Sequence, residues 1–396
     1  MYRLRIGKWV SGFLSIQFFF LAVLLAFPVD MQWEEIPVAP QDVIIKLLFL
    51  EGRGWLAIWR GAGGILLCTD DGGNNWRELE MCPKGILDFH FINTREGWVT
   101  DWRELWHTLD GGETWKLVPA ELDLEGVPWG WQYDEQGVPN SVYFFDSNDG
   151  IGILRSSHAL GDYSWIIVTT QDGGEHWRAR KWEQYTSNIA FSEIVGDRVW
   201  IGNWAGNRFS FDRGKSWENS TTPGFESLSF LNPNDGWSFV TADPRRLFRT
   251  EDGGRSWQLV SKLSSLHTWR ADLLFVSDRE GWLLTFLFKD YLAHHIVLWH
   301  TQDGGERWQQ VELPVDSKTR SIWSRGLPVG WSGRVGELVL DEKRGDLWIA
   351  IYDAGNDFTF SHRLFRGRGI YTTSINPSGK CATTWGELKY ASIGIE

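Results

Sequence analysis

Residues 250–257 read TEDGGRSW, and the same sentence recurs as TDDGGNNW from Thr69, TLDGGETW from Thr108, TQDGGEHW from Thr170, SFDRGKSW from Ser210 and TQDGGERW from Thr301. Each copy fits Ser/Thr-x-Asp-x-Gly-x-x-Trp and separates a β-type segment ending at the Ser/Thr from another beginning at the Trp. A hairpin turn explains these positions. The Asp carboxylate accepts turn N–H groups, the glycines supply positive φ, and the indole covers the hairpin base with apolar surface. One copy would be weak evidence; six in register mark a repeat architecture. Turn capping already accounts for Asp71, Asp110, Asp172, Asp212, Asp252 and Asp303, which are therefore read as structural.

A second element alternates with the first: LLFLEGRGWLAI, FHFINTREGWVT, VYFFDSNDGIGI, AFSEIVGDRVWI, LSFLNPNDGWSF, LLFVSDREGWLL and LVLDEKRGDLWI. Each is an apolar strand, a polar turn and a second strand that usually opens on Trp, as at Trp55, Trp98, Trp200, Trp237, Trp282 and Trp348. Joined to a box, it gives strand a, turn, strand b, connection, strand c, box, strand d, which is one four-stranded propeller blade. The fold expected is all-β, a seven-bladed β-propeller. Seven a–b units meet only six boxes, and SHRLFRGRGIYTT stands where the last box should be. The missing outer strand is read at the other end of the chain, where Trp33-Glu34-Glu35-Ile36-Pro37 resembles the strand after a box. Residues 32–38 should thus complete a seventh blade made from residues 336–368, closing the ring and removing an open sheet edge.

The chain has 396 residues, 39 Lys plus Arg against 51 Asp plus Glu, and a net charge of −12, so the basic surface of a nucleic-acid binder is missing. Three cysteines, Cys68, Cys82 and Cys381, permit at most one bridge and have no metal-ligand spacing. Arg3, Arg5 and Lys8 precede an apolar run from about Trp9 to Phe27, with Asp30, Glu34 and Glu35 behind it. That charge order favours a cytoplasmic N-terminus with the rest of the chain exported. The run of about 18 residues is slightly short for a span. It reads either as an uncleaved membrane anchor touching lipid through residues 9–27 or as a signal peptide that is removed. The expected domains are residues 1–30 for this segment, 31–370 for the propeller and 371–396 for a tail without repeat features.

The boxes together with the GW strands resemble the BNR/Asp-box propellers, a group that spans sialidases, some glycoside hydrolases, sortilin-type receptors and the photosystem II stability and assembly factors. The DGG-x-x-W boxes combined with NDGW and REGW turns are most similar to the last, over roughly residues 32–370. That resemblance implies a non-enzymatic lumenal or periplasmic factor that assists assembly of a membrane complex. A sialidase should carry an arginine motif ahead of the first box, whereas here EEIPVAPQDVIIKLLF has none.

Boxes and a–b turns should share one face, leaving ligands to the d–a and b–c connections opposite. The long connections are rich in aromatic and basic residues: Trp129, Trp131 and Tyr133 before blade 3, His158 and Tyr163 within it, Arg245 and Arg246 in blade 5, Tyr291 in blade 6, and Trp323, Arg325, Trp331 and Arg334 after it. Such a rim suits protein recognition and would equally suit sugar rings. These twelve are the expected partner-binding residues. No nucleophile motif such as Gly-x-Ser-x-Gly is present, no catalytic residue is assigned, and neither cofactor nor metal is expected. The adjacent His294 and His295 point to opposite faces of a strand and do not form a ligand pair. The function expected is a non-catalytic extracytoplasmic factor, in periplasm, thylakoid lumen or outside, that holds a protein partner of a membrane complex. The alternative is a carbohydrate-active protein, a glycoside hydrolase or lectin-like binder, because carboxylates from different blades can pair without any signature in sequence spacing.

Overall fold

A computed structural model describes residues 32–39, 42–60, 63–101, 103–123, 125, 131–133, 138–158, 163–179, 190–203, 206–220, 227–240, 244–263, 268–290, 293–313, 336–354 and 360–368. All regular elements among them are strands, arranged in seven antiparallel meanders of at least four strands. Blade 1, for example, consists of strand a Val43–Leu50, b Arg53–Arg60, c Gly63–Thr69 and d Arg77–Glu78. Strands a of neighbouring blades touch at six of the seven junctions, and blades 3 and 4 pack through a shared apolar cluster around Ile151 and Ile194, so the ring is closed.

Closure happens as the sequence predicts. Blade 7 takes Gly336–Asp341, Asp346–Ala354 and Phe360–Arg368 as strands a to c, and Gln32–Ile36 as strand d. The register runs from Gln32 opposite Arg368 to Ile36 opposite Leu364. Arg366 is the centre of this joint. Its guanidinium donates to Glu34 on the incoming strand, to the Gly72 carbonyl at 2.7 Å and to Asn74 Oδ1 at 2.9 Å, both in the box of blade 1. Arg368 reaches Glu34 at 3.0 Å, and Arg363 grips Glu35 at 2.8 and 2.9 Å.

The boxes behave as turns. Thr69 Oγ1 donates to Asp71 Oδ1 at 2.8 Å while accepting the Gly73 N–H at 2.8 Å, and Asp71 accepts the Asn75 N–H at 2.9 Å. The other five repeat this pattern, for instance around Asp110 and Asp252. In blade 4 Arg213 stands where the other boxes have their first glycine, and it is held at φ 60°. Its guanidinium meets Asp146, Asp149 and Asp197, each at 2.6 Å. The first box glycine also donates to the a–b turn of its own blade, as Gly111 N–H does to Arg95 O at 2.6 Å. Boxes and a–b turns therefore share one face.

The core is divided among seven hydrophobic clusters, one at each blade–blade junction. Cys68 and Cys82 lie as free buried thiols in the cluster between blades 1 and 2. At most junctions the Trp that opens strand b is the key group. Trp55, Trp98, Trp200 and Trp237 are fully buried, stack on a Phe of the next blade's strand a, and donate the indole N–H to a glycine carbonyl in that blade's box. The same Phe meets the box Trp edge-on, as Phe91 does Trp115 at 6.1 Å. Between blades 3 and 4 this Trp is replaced by Ile151, which packs beside Gly214. Blade 7 has no box, and among the described residues Trp282 Nε1 finds no acceptor there.

Candidate functional site

A strand a has a ladder partner on one side only, so its inner edge presents N–H and C=O groups that need partners from elsewhere. Polar side chains of the neighbouring strand a supply them. Asp88 accepts Lys46 Nζ and its neighbour's Phe89 N–H, both at 2.8 Å, through one oxygen, and Ser141 Oγ at 2.6 Å and the Val142 N–H at 3.2 Å through the other. Lys46 also donates to Phe89 O at 2.6 Å. His90 Nδ1 accepts the Phe144 N–H at 3.1 Å, Ser227 and Ser229 accept Leu273 and Phe275 N–H at 2.9 and 2.8 Å, and Asp272 accepts Leu338 N–H at 2.7 Å. Burial, with the Lys46 charge added, pushes the His90 pKa well below the usual imidazole range, so the ring is neutral and can accept.

Sequence reasoning passed over this inner ring. The signal was available: Lys46 in VIIKLLFL, Asp88 in LDFHF and Asp272 in RADLLF each interrupt an apolar strand. The hydrogen bonds of Asp88 occupy both its oxygens, which fits a structural role. The box carboxylates are equally committed. Donors from the Asn75 side chain and backbone hold Asp71 at about 2, and at Asp110 burial works the other way but is outweighed by the Thr114 donors, giving about 2.

The opposite face is built up at blade 3, which exceeds the expected four strands. Its meander is Ser141–Phe144, Gly150–His158, Tyr163–Thr170 and His176–Ala179. Glu121–Asp123 adds a parallel strand outside strand d, and Trp131–Tyr133 pairs with the far end of strand b. Strand b outruns strand a by several residues, and the d–a connection fills the unpaired length. In consequence Trp131 lies opposite His158, Tyr133 opposite Ser156, and Tyr163 opposite Ser157. Four of the sequence-predicted residues are thus gathered on one sheet extension, at the ends of strands remote from the boxes.

Two other candidates lie in a different blade. Arg245 and Arg246 enter strand c of blade 5; the Arg245 carbonyl accepts Leu263 N–H at 2.9 Å, and the Arg246 guanidinium sits 5.4 Å from the Phe248 ring. Trp129, Tyr291, Trp323, Arg325, Trp331 and Arg334 lie outside the described residues, as do the apolar run 9–27 and residues 371–396. Among the described residues no group of three metal-ligating side chains occurs, and no helix is long and apolar enough to cross a membrane.

No family model matches the sequence. The photosystem II assembly protein Ycf48 of Synechococcus sp. (strain JA-2-3B'a(2-13)) is 23% identical over 292 residues, covering 64% of this chain and 86% of the relative. The photosystem II assembly lipoprotein Ycf48 of Synechococcus sp. (strain CC9902) is 25% identical over 153 residues, 37% of this chain and 39% of that one. Among solved structures, Ycf48 bound to a D1 peptide superposes with a TM-score of 0.53 at 20% identity, covering 85% of this chain and 97% of that one, which shows a common fold. The resemblance carried by the boxes and GW strands is borne out: this chain is a seven-bladed propeller similar in sequence to the Ycf48 photosystem II assembly proteins.

Proposed function

We propose that this protein is an exported, non-catalytic binding factor that holds a segment of a membrane-complex protein on the face opposite the boxes. The observation that carries this reading is its sequence similarity to a photosystem II assembly protein over 86% of that protein's length. A solved propeller of the same fold with a D1 peptide bound supports a protein ligand. The backbone register that brings Trp131, Tyr133, His158 and Tyr163 onto the sheet extension of blade 3 supports this choice of site. Trp129, Arg245, Arg246, Tyr291, Trp323, Arg325, Trp331 and Arg334 complete the proposed rim on sequence grounds. Aromatic and arginine anchors of this kind dominate protein interfaces energetically.

The positive residues before the apolar run 9–27 support export, and a lipoprotein among the relatives supports attachment to a membrane. Residues 31–370 form the binding module in this reading, with 1–30 as anchor. Affinity capture from membranes with the full chain, partner identified by mass spectrometry, tests the proposal. The variant W131A/Y133A/H158A should lose the captured partner at least tenfold while its thermal unfolding stays cooperative. Unchanged capture would remove the site from blade 3, and turnover of chromogenic glycosides or binding on a glycan array would replace the reading with a carbohydrate-active one.

A further inference from the structure

We propose that the box-face end of blade 7 lies against the lipid bilayer and that the opposite face is held away from it. The inference rests on the reading that residues 9–27 stay in the membrane, and it is decided by the length of chain between them and the propeller.

Only Pro28, Val29, Asp30 and Met31 separate Phe27 from Gln32, the first residue of the closing strand. Those five Cα steps span at most about 18 Å when fully extended, and the headgroup layer takes about 5–8 Å of that reach. Gln32 pairs with Arg368, the last residue of strand c. In the other six blades strand c ends at the box, as at Thr69, so the chain enters the propeller on the box face. From Arg368 back to Phe360, the far end of the same nine-residue strand, the blade rises about 26 Å at ~3.3 Å per residue. The remaining tether of about 10 Å is shorter than that height, so the face opposite the boxes cannot be brought down onto the lipid.

The entry point is also locked. Trp33 packs into the cluster between blades 6 and 7, and Glu34 is clamped by Arg366 and Arg368. Peeling the strand to lengthen the tether would strip Arg366, nearly buried, of its carboxylate. Charge does not choose the face, because at this corner Arg366 and Arg368 are met by Glu34 and Arg344 by Asp341. Geometry chooses it. A partner segment reaching the opposite face must then project from the membrane by at least the height of a blade, which fits a hydrophilic tail rather than a loop lying at the surface.

The test uses the full chain with Cys381→Ser, leaving Cys68 and Cys82 buried, reconstituted in phosphatidylcholine/phosphatidylglycerol vesicles that carry an acceptor dye on the headgroup. A donor is attached at Lys343→Cys, on the exposed a–b turn of blade 7, or at Lys84→Cys, exposed in the d–a connection after blade 1 on the opposite face. The chain should float with the vesicles, and transfer from position 343 should exceed that from position 84 at least twofold. Inserting about twelve Gly/Ser residues after Val29, a flexible tether, should erase the difference. A chain that does not float overturns the membrane reading and this proposal together. A chain that floats with equal or greater transfer from position 84 overturns this proposal alone, and a difference that survives the insertion overturns the tether as its cause.

Discussion

Trp55 in blade 1 donates its indole N–H to the carbonyl of Gly111 in the box of blade 2, at 3.1 Å across 56 residues of sequence. Its ring stacks on Phe91 of blade 2 with centroids 4.0 Å apart. The Trp that opens strand b is therefore an inter-blade latch. Trp55→Phe keeps a stacking ring and leaves Gly111 O with the Arg53 Nη2 donor at 3.3 Å, so it should cost about 1–2 kcal/mol. Trp55→Ala opens a cavity in a fully buried junction and should cost about 3–5 kcal/mol. Urea unfolding measures both, and equal costs would deny the hydrogen bond any separate contribution.

The closing strand should behave as part of the core. Arg366→Ala strips the Gly72 carbonyl of its donor and leaves the partly exposed Glu34 and Asn74 to Arg368 alone, so it should destabilise by about 1–3 kcal/mol. Deleting residues 31–38 should lower the melting temperature further, since it also removes Trp33 from its cluster. A deletion variant that melts with the parent would show that the ring holds without its seventh outer strand.

Arg213 presents two opposed effects of similar size. Its left-handed backbone costs about 1–2 kcal/mol in a residue with a Cβ, while three partly exposed ion pairs return roughly 0.2–1 kcal/mol each. Arg213→Gly should therefore change stability by less than about 1 kcal/mol at low salt and become the more stable form near 1 M salt, where the pairs are screened. Arg213→Ala keeps the strain and loses the pairs, so it should be the least stable of the three. Urea midpoints at two salt concentrations decide the order.

His90 makes a pH prediction whose sign is set by its burial. Its folded pKa lies below the unfolded value of about 6.5, so its contribution to stability is fully present above that pH and is lost as pH falls. The slope is about 1.4 kcal/mol per unit for one proton. His90→Gln, with an amide oxygen to accept the Phe144 N–H, should lose about 2 kcal/mol less than the parent between pH 7 and pH 5. Parallel stability–pH curves for the two proteins would mean that His90 is not the group responsible.

Much of the architecture was legible because a box is a local object. The Thr69, Asp71, Gly73 and Asn75 hydrogen bonds close within a few residues, so their spacing in sequence states their geometry. The same holds for the closing strand, since Trp33 to Pro37 repeats the pattern of a strand d that leaves a box. The latch was not legible in that way. The tryptophans at positions 55, 98, 200 and 237 announce strand starts, but their acceptors lie 53 to 75 residues away in another blade. The inner polar ring was half legible, as charges out of place in apolar strands.

The candidate site shows the same division. Sequence marked Trp131, Tyr133, His158 and Tyr163 as connection residues on one face; only the pairing of Trp131–Tyr133 with strand b of blade 3 set them side by side.

By itself the sequence determined the repeat, the blade count and the strand exchange, because each is written in periodic short-range pattern. Tertiary structure decided which blade each tryptophan latches, how the inner edges are satisfied and which loops meet. Those depend on ring closure, which brings together residues whose separation along the chain carries no information about their separation in space.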